Sequence, residues 1–328
     1  MGRMRFRPQH LLFVAGSLFV MNTAAARDVA TFSIVARDPQ TQELGVAVAS
    51  RFFSVGSVVP YAQAGAGAVA TQANANATFG PRGLQLLERK ASAKETLEIL
   101  LRGDSGNGTG GRQVGIVAGD GSSATHTGPN CNAWAGGRNG PDYAVQGNIL
   151  AGEQVVVAME KAFLETRGTL ARRMYAALVA GDAAGGDSRG KQSASLLVAK
   201  AGAGFNGGSD RAIDIRVDDH TEPFRELGRL LDYAEMNYAW NRAWTAFTQK
   251  QYAEALVAQE HAATLAPENP ELFYDLAVIR LSAGKRAEAL PALQKALKLN
   301  PNLKKQATVD KDLDALRSDP AFQAMIKP

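Results

Sequence analysis

Thr31 opens an alternating run, Thr31-Phe32-Ser33-Ile34-Val35-Ala36, which a short Asp38-Pro39-Gln40-Thr41 turn joins to a second run from Leu44 to Ala49. The pattern reads as a β-hairpin whose first residue carries a hydroxyl. A threonine hydroxyl is a weak nucleophile. When threonine is the first residue of a chain, however, its own α-amine can take the proton, directly or through a water. That amine has a pKa of about 7.7–8.0, so it is partly neutral near pH 7 without tuning. One residue would then be nucleophile and base for opening an amide. The same threonine also suits a strand for no catalytic reason, because β-branched residues pack well there.

Other schemes have less behind them. Only His126, His220 and His261 lie beyond residue 26, and there is no Gly-x-Ser-x-Gly elbow. Cys131 is the only cysteine, which excludes an intrachain disulfide, and nothing near it in sequence activates a thiol. Asp218-Asp219-His220, and His126 with Cys131, lack the spacing of a zinc site, so neither metal nor cofactor is expected. Gln146-Gly147-Asn148 ends a strand-like run. Its glycine lets backbone approach closely, and Asn148 is a candidate oxyanion donor. The loop Gly185-Gly186-Asp187-Ser188-Arg189-Gly190 precedes a strand at Ser193. Asp187 is assigned to catalysis and Arg189 to substrate binding; the two either pair or reach Thr31. No Lys-Ser/Thr and no helix follow, which argues against a phosphate cradle. Gln72 and Asn74, just beyond the run Gly67–Thr71, are assigned to substrate binding.

Processing decides whether Thr31 becomes a first residue. Arg3, Arg5 and Arg7 form a basic segment, Leu11 to Met21 an apolar one, and Ala24-Ala25-Ala26 a small-residue cleavage site. Residues 1–26 therefore read as a signal peptide, and the mature chain is expected in the periplasm or secreted. The apolar run is short of the roughly 20 residues a bilayer span needs, so no membrane attachment is expected after cleavage. Three of the +4 formal charges are the leader arginines, leaving about +1, which removes the compositional case for nucleic-acid binding. Cleavage after Ala26 leaves Arg27-Asp28-Val29-Ala30 ahead of Thr31. A second cut after Ala30 is needed to free the Thr31 amine.

The elements that must position these residues fall in two blocks. Residues 31–218 are rich in Gly, Ala and Val. Strand-like runs lie at Thr31–Ala36, Leu44–Ala49, Gly67–Thr71, Arg112–Ala118, Ala144–Gln146, Ser193–Ala199 and Ala212–Val217. Helical spacing appears in Pro81–Ala91 continuing into Ala93–Arg102, and in Glu153–Thr166 and Leu170–Ala180. This supports a layered α/β or α+β domain over 31–222. From 223 to 328 glycine is scarce and helix formers dominate. Tyr252-Ala253-Glu254-Ala255-Leu256 recurs as Arg286-Ala287-Glu288-Ala289-Leu290, and Pro267 recurs as Pro301. Both spacings are 34 residues, the tetratricopeptide period. Asp310–Ile326 reads as a capping helix pair. Such a module packs and oligomerises, or takes a protein or peptide partner; the oligomeric state stays open, a homo-oligomer included.

Several stretches together resemble one family. They are Thr31–Asp38, Ser50–Pro60, Ala70–Ala73, Gly80–Gly83, Tyr143–Asn148, Gly185–Ala194 and Arg216–His220. In order, over about residues 31–225, they are similar to the bacterial domain of unknown function 1028 family, grouped with the N-terminal nucleophile hydrolases. The resemblance implies an α+β fold, a four-layer αββα sandwich, here followed by the all-α repeat module. It also implies hydrolysis of a small amide or peptide by Thr31. Ser50 falls where proteasome-like relatives carry a supporting Asp, with Arg51 its neighbour; both are assigned to the catalytic group. Ser50 can hydrogen-bond there, and Arg51 can lower the amine pKa or hold an anionic substrate. The alternative is a periplasmic binding or scaffold protein with a degenerate hydrolase-like domain.

Overall fold

Alternation in the first hairpin sorts its side chains between two cores. β1 (Thr31–Arg37) pairs antiparallel with β2 (Leu44–Ser50). The turn between them is closed by Asp38, whose Oδ1 accepts from the N–H groups of Gln40 and Thr41. On one face of β1, Phe32, Ile34 and Ala36 enter a helix-covered core. On the other, Val35 meets Val46, Val48, Ala68, Ala70 and Val117. The computed structural model describes residues 31–104 and 108–327. The leader and Arg27–Ala30 lie outside the described residues.

The chain continues through β3 (Pro60–Gln63), β4 (Gly67–Ala73), α1 (Phe79–Glu88), α2 (Ala93–Arg102), β5 (Arg112–Ala118), β6 (Ser123–Thr127), β7 (Gly136–Gly140) and β8 (Tyr143–Asn148). Then follow α3 (Gln154–Glu165), α4 (Leu170–Ala183), β9 (Ser193–Ala199) and β10 (Arg211–Val217). Two antiparallel sheets result, one ordered β10-β9-β2-β1-β8-β7 and the other β3-β4-β5-β6. Val155, Met159 and Phe163 of α3 and Met174 and Leu178 of α4 cover the six-stranded sheet. Phe79 and Leu87 of α1 and Leu97 and Leu100 of α2 cover the four-stranded one.

The single helical run expected over 81–102 is two helices. Lys90 has φ 69, and Ser92 with Glu95 forms a capping box that restarts the chain as α2. β3, β6 and β7 are not among the strand-like runs of the sequence. Gly136-Gly137-Arg138-Asn139-Gly140 has no apolar alternation, and it is a strand only because it pairs with β8.

The repeat region begins with a 26-residue helix, α5 (Pro223–Thr248). Its first turns, through Phe224, Leu227 and Leu231, belong to the core of the six-stranded sheet; Ala243 and Ala246 belong to the core of the repeats. Glu235 fixes it, accepting from Thr169 Oγ1 and Arg172 Nε at 2.5 and 2.6 Å. Beyond it lie α6 (Tyr252–Leu265), α7 (Pro270–Ser282), α8 (Arg286–Leu299), α9 (Leu303–Val309) and α10 (Pro320–Ile326). Within the expected capping pair, Lys311–Leu316 is a 3-10 turn.

Asp275 ties α7 back to α5. Its Oδ2 accepts both Trp240 Nε1 and Trp244 Nε1, at 2.6 and 2.7 Å. Burial pushes its carboxyl up from the ordinary value, against the two indole bonds that hold it down. The folded state thus binds the proton more tightly than the unfolded chain, and stability falls as pH climbs above the ordinary carboxyl range. Asp275→Ala strands both indole N–H groups and should cost about 2 kcal/mol. Asp275→Asn keeps the acceptor and should be at least as stable as the parent at neutral pH. Urea unfolding of the two variants checks both.

Candidate active site

Register brings the sequence candidates to one end of the six-stranded sheet. Thr31 lies opposite Ser50 on β2 and opposite Asn148 on β8, and Ser50 lies opposite Ser193 on β9. Directly paired residues project from the same face of a sheet. Ser193, Ser50, Thr31 and Asn148 therefore form one polar rung across four strands, on the face toward the other sheet. All four are buried. Thr31 Oγ1 donates to Ser50 Oγ at 3.3 Å, and Ser193 Oγ donates to Phe52 O at 2.5 Å.

Behind the rung the two sheets meet through amides instead of apolar side chains. Gln72 of β4 donates from Nε2 to Thr31 O at 3.3 Å, Gln113 Oε1 at 2.9 Å and Gln146 O at 3.4 Å. Its Oε1 accepts from Ser33 Oγ at 2.6 Å. Gln113 of β5 donates to Gly147 O at 2.7 Å and Gly136 O at 3.3 Å. Gln146 Nε2 donates to Ser33 Oγ at 2.7 Å. Gly115 makes room for it, since a Cβ there would collide with the Gln146 amide. Asn148 Nδ2 donates to Gln113 Oε1 at 2.9 Å, whereas Asn148 Oδ1 has no hydrogen-bond partner among the described residues. An unpaired buried amide oxygen costs about 1–3 kcal/mol, so the sequence retains a group that the fold alone does not favour.

Gln72 thus holds the backbone of Thr31 from the opposite sheet, an interior place for a residue assigned to substrate binding. Asn148 stands beside Thr31, but its donor is committed to Gln113. Ser33 and Gln113 are not singled out by the sequence, and Gln146 enters there only as part of the Gln146-Gly147-Asn148 segment, with no role of its own. The available signal was a lone glutamine or serine on the inward-facing positions of otherwise apolar strands.

The glycine-rich loop borders the same end. Asp187 Oδ2 accepts from Arg51 N at 2.9 Å, and its carboxylate takes Arg189 N and the Arg189 guanidinium at 2.9–3.2 Å. Asp187 also bridges to Leu150, and Ser188 N donates to Ile149 O. The loop therefore touches the residues that directly follow both strands flanking β1, at the end where Thr31 lies. Gly185 and Gly190 have φ of 113 and 106, a region L side chains rarely adopt. Arg51 Nη1 donates to Arg189 O at 2.6 Å. Of the two readings of Asp187 and Arg189, the geometry favours pairing. Asn74 stands apart from this group: its O and Oδ1 accept from Arg112 Nη1, while Arg112 Nε pairs with Asp104.

A separate cavity of about 660 Å³ lies between β10, the 203–206 segment and α5. Ile213, Tyr233, Trp240 and Trp244 line it, with the exposed Phe205. The size suits a small ligand or a few peptide side chains, and no residue of the Thr31 rung lines it.

Two antiparallel sheets with helices packed on them, followed by a helical repeat region, define a mixed α/β protein carrying a repeat module. The chain belongs to a family of unknown function, DUF1028, whose profile matches residues 31–227. A tetratricopeptide repeat profile matches residues 246–309. The chain is similar to a protein from Silicibacter pomeroyi, assigned to the same family, whose crystal structure is known. The two share 30% identity and superimpose with a TM-score of 0.58, over 65% of this chain and 94% of that one. No curated protein matches. Among the described residues no helix is long and apolar enough to cross a membrane.

Proposed function

We propose that this is an exported amide or peptide hydrolase in which Thr31 is an N-terminal nucleophile. The supporting observation is the rung Ser193-Ser50-Thr31-Asn148, with the first residue of β1 inside it. The two sheets and their helices are read as the four-layer αββα sandwich of that hydrolase class over 31–222, with the repeat unit at 223–328. A cut between Ala30 and Thr31 frees the α-amine. Thr31 Oγ1 then attacks the substrate carbonyl carbon, and its proton passes to that amine. Collapse of the tetrahedral species expels the leaving amine, which takes the proton back. Water then hydrolyses the Thr31 ester by the same relay. Ser50 orients the hydroxyl. With Asn148 Nδ2 committed, the oxyanion falls to a backbone N–H, the other donor such sites use. Asp187 and Arg189 brace the loop that borders Thr31, and the Arg51 peptide with it.

Intact mass and N-terminal sequencing of the exported protein test this directly. A chain beginning at Thr31 is the expected result. A chain beginning at Arg27 places the amine four residues from the hydroxyl and removes the base.

A second reading is a binding or scaffold protein. The tetratricopeptide match and the aromatic-walled cavity beside α5 favour it. Retention of a protein partner by the full chain, without hydrolysis of any amide, would support this reading over the first.

A further inference from the structure

Backbone carbonyls dictate which end of Asn148 bonds Gln113 and which end is left over beside Thr31 in the rung. Gln113 Nε2 lies against Gly147 O and Gly136 O. A carbonyl only accepts, so the Gln113 amide has one orientation. Gln72 is pinned in the same way by Thr31 O and Gln146 O. Gln113 Oε1 consequently faces Gln72 Nε2 and Asn148 Nδ2, each at 2.9 Å. Turning Asn148 over would set two acceptor oxygens against each other. What remains on the rung of Thr31 is Asn148 Oδ1, 1% exposed as a residue and without a partner among the described residues.

We infer that Asn148 Oδ1 receives the N–H of the scissile amide and that Gln113 is the positioning residue that turns it that way. The inference rests on the hydrolase reading of the rung. Paired residues on neighbouring strands have Cβ atoms about 4.5–5.5 Å apart. An amide whose carbonyl carbon sits at Thr31 Oγ1 carries its nitrogen one bond further on, within reach of the adjoining side chain. An ester puts an acceptor oxygen at that point, facing a buried acceptor. A site built to hydrogen-bond a substrate N–H rejects the analogue that lacks it. The substrate class is thus an amide bearing an N–H, not an ester or a fully substituted amide.

Acetanilide and phenyl acetate differ at this position only in N–H against O. Their binding is measured by NMR titration on the chain beginning at residue 31 and carrying Thr31→Ala, which turns over neither. Acetanilide should bind at least about tenfold more tightly, in keeping with a site that pairs a substrate N–H. Adding Asn148→Leu should abolish the preference while phenyl acetate binding stays. Gln113→Met, which leaves Asn148 in place, should lower the preference as well. Asn148→Asp at acid pH keeps the carbonyl acceptor and offers its O–H to Gln113, so it should retain the preference even where the leucine variant fails to fold. Equal affinity, binding of neither probe, or a preference that survives Asn148→Leu overturns the inference. Because no turnover is read, a Thr31 chain that hydrolyses nothing would sink the hydrolase reading alone.

Discussion

Thr31→Ala should reduce amide turnover by roughly a thousand-fold or more, the scale seen when a nucleophile is removed. The fold should survive. The substitution removes the 3.3 Å bond to Ser50 and one methyl group from a buried position. Those losses amount to about 1–2 kcal/mol, or a few degrees in melting temperature. Thr31→Ser keeps hydroxyl and amine and should retain activity within about an order of magnitude, since the proton relay is unchanged. A chain that keeps Ala30 should be as inactive as the alanine variant while melting like the parent. The blocked chain separates the amine from the hydroxyl: equal turnover with and without Ala30 would mean that some other group takes the proton.

Much of this arrangement is legible in the sequence. The alternation in Thr31–Ala36 and Leu44–Ala49 announces a hairpin, and a hairpin sets Thr31 against Ser50. The 34-residue spacing of Pro267 and Pro301 announces the helical repeats. What sequence does not carry is the strand order. Asn148 is a neighbour of Thr31 only because β8 joins the open edge of β1, and Asp187 reaches Arg51 only because β9 joins β2. The same limit explains Asn74. It lies two residues beyond Gln72, but the chain has already turned away from the sheet interface there and gives its carbonyl oxygens to Arg112. β7 was hidden for another reason: it is defined by its partner, not by its composition.

Gln72→Glu is expected to be the most pH-sensitive substitution in the molecule. The side chain is fully buried, and its Nε2 faces three acceptors: Thr31 O, Gln113 Oε1 and Gln146 O. An ionised carboxylate there would turn a negative oxygen toward all three with no water to soften the contact. Only the protonated form fits, so its pKa in the folded state lies well above the value of about 4.3 in the unfolded chain. Between those values the folded state holds a proton that the unfolded chain has released. Stability then falls as pH rises, by about 1.4 kcal/mol per pH unit above roughly 4.3. Urea unfolding at about pH 4.5 and 7.5 should differ by roughly 3–4 kcal/mol on that slope. Gln72→Leu should lose about 2–3 kcal/mol at both, because it removes the acceptor of the Ser33 hydroxyl and one donor to the Thr31 carbonyl without adding a charge. The contrast between the two variants bears on catalysis as well as stability. A glutamate variant as stable as the parent across this range would mean that water reaches the amide cluster. A steep loss would mean that the floor beneath Thr31 is dry, which is where fixed dipoles act most strongly on a developing charge.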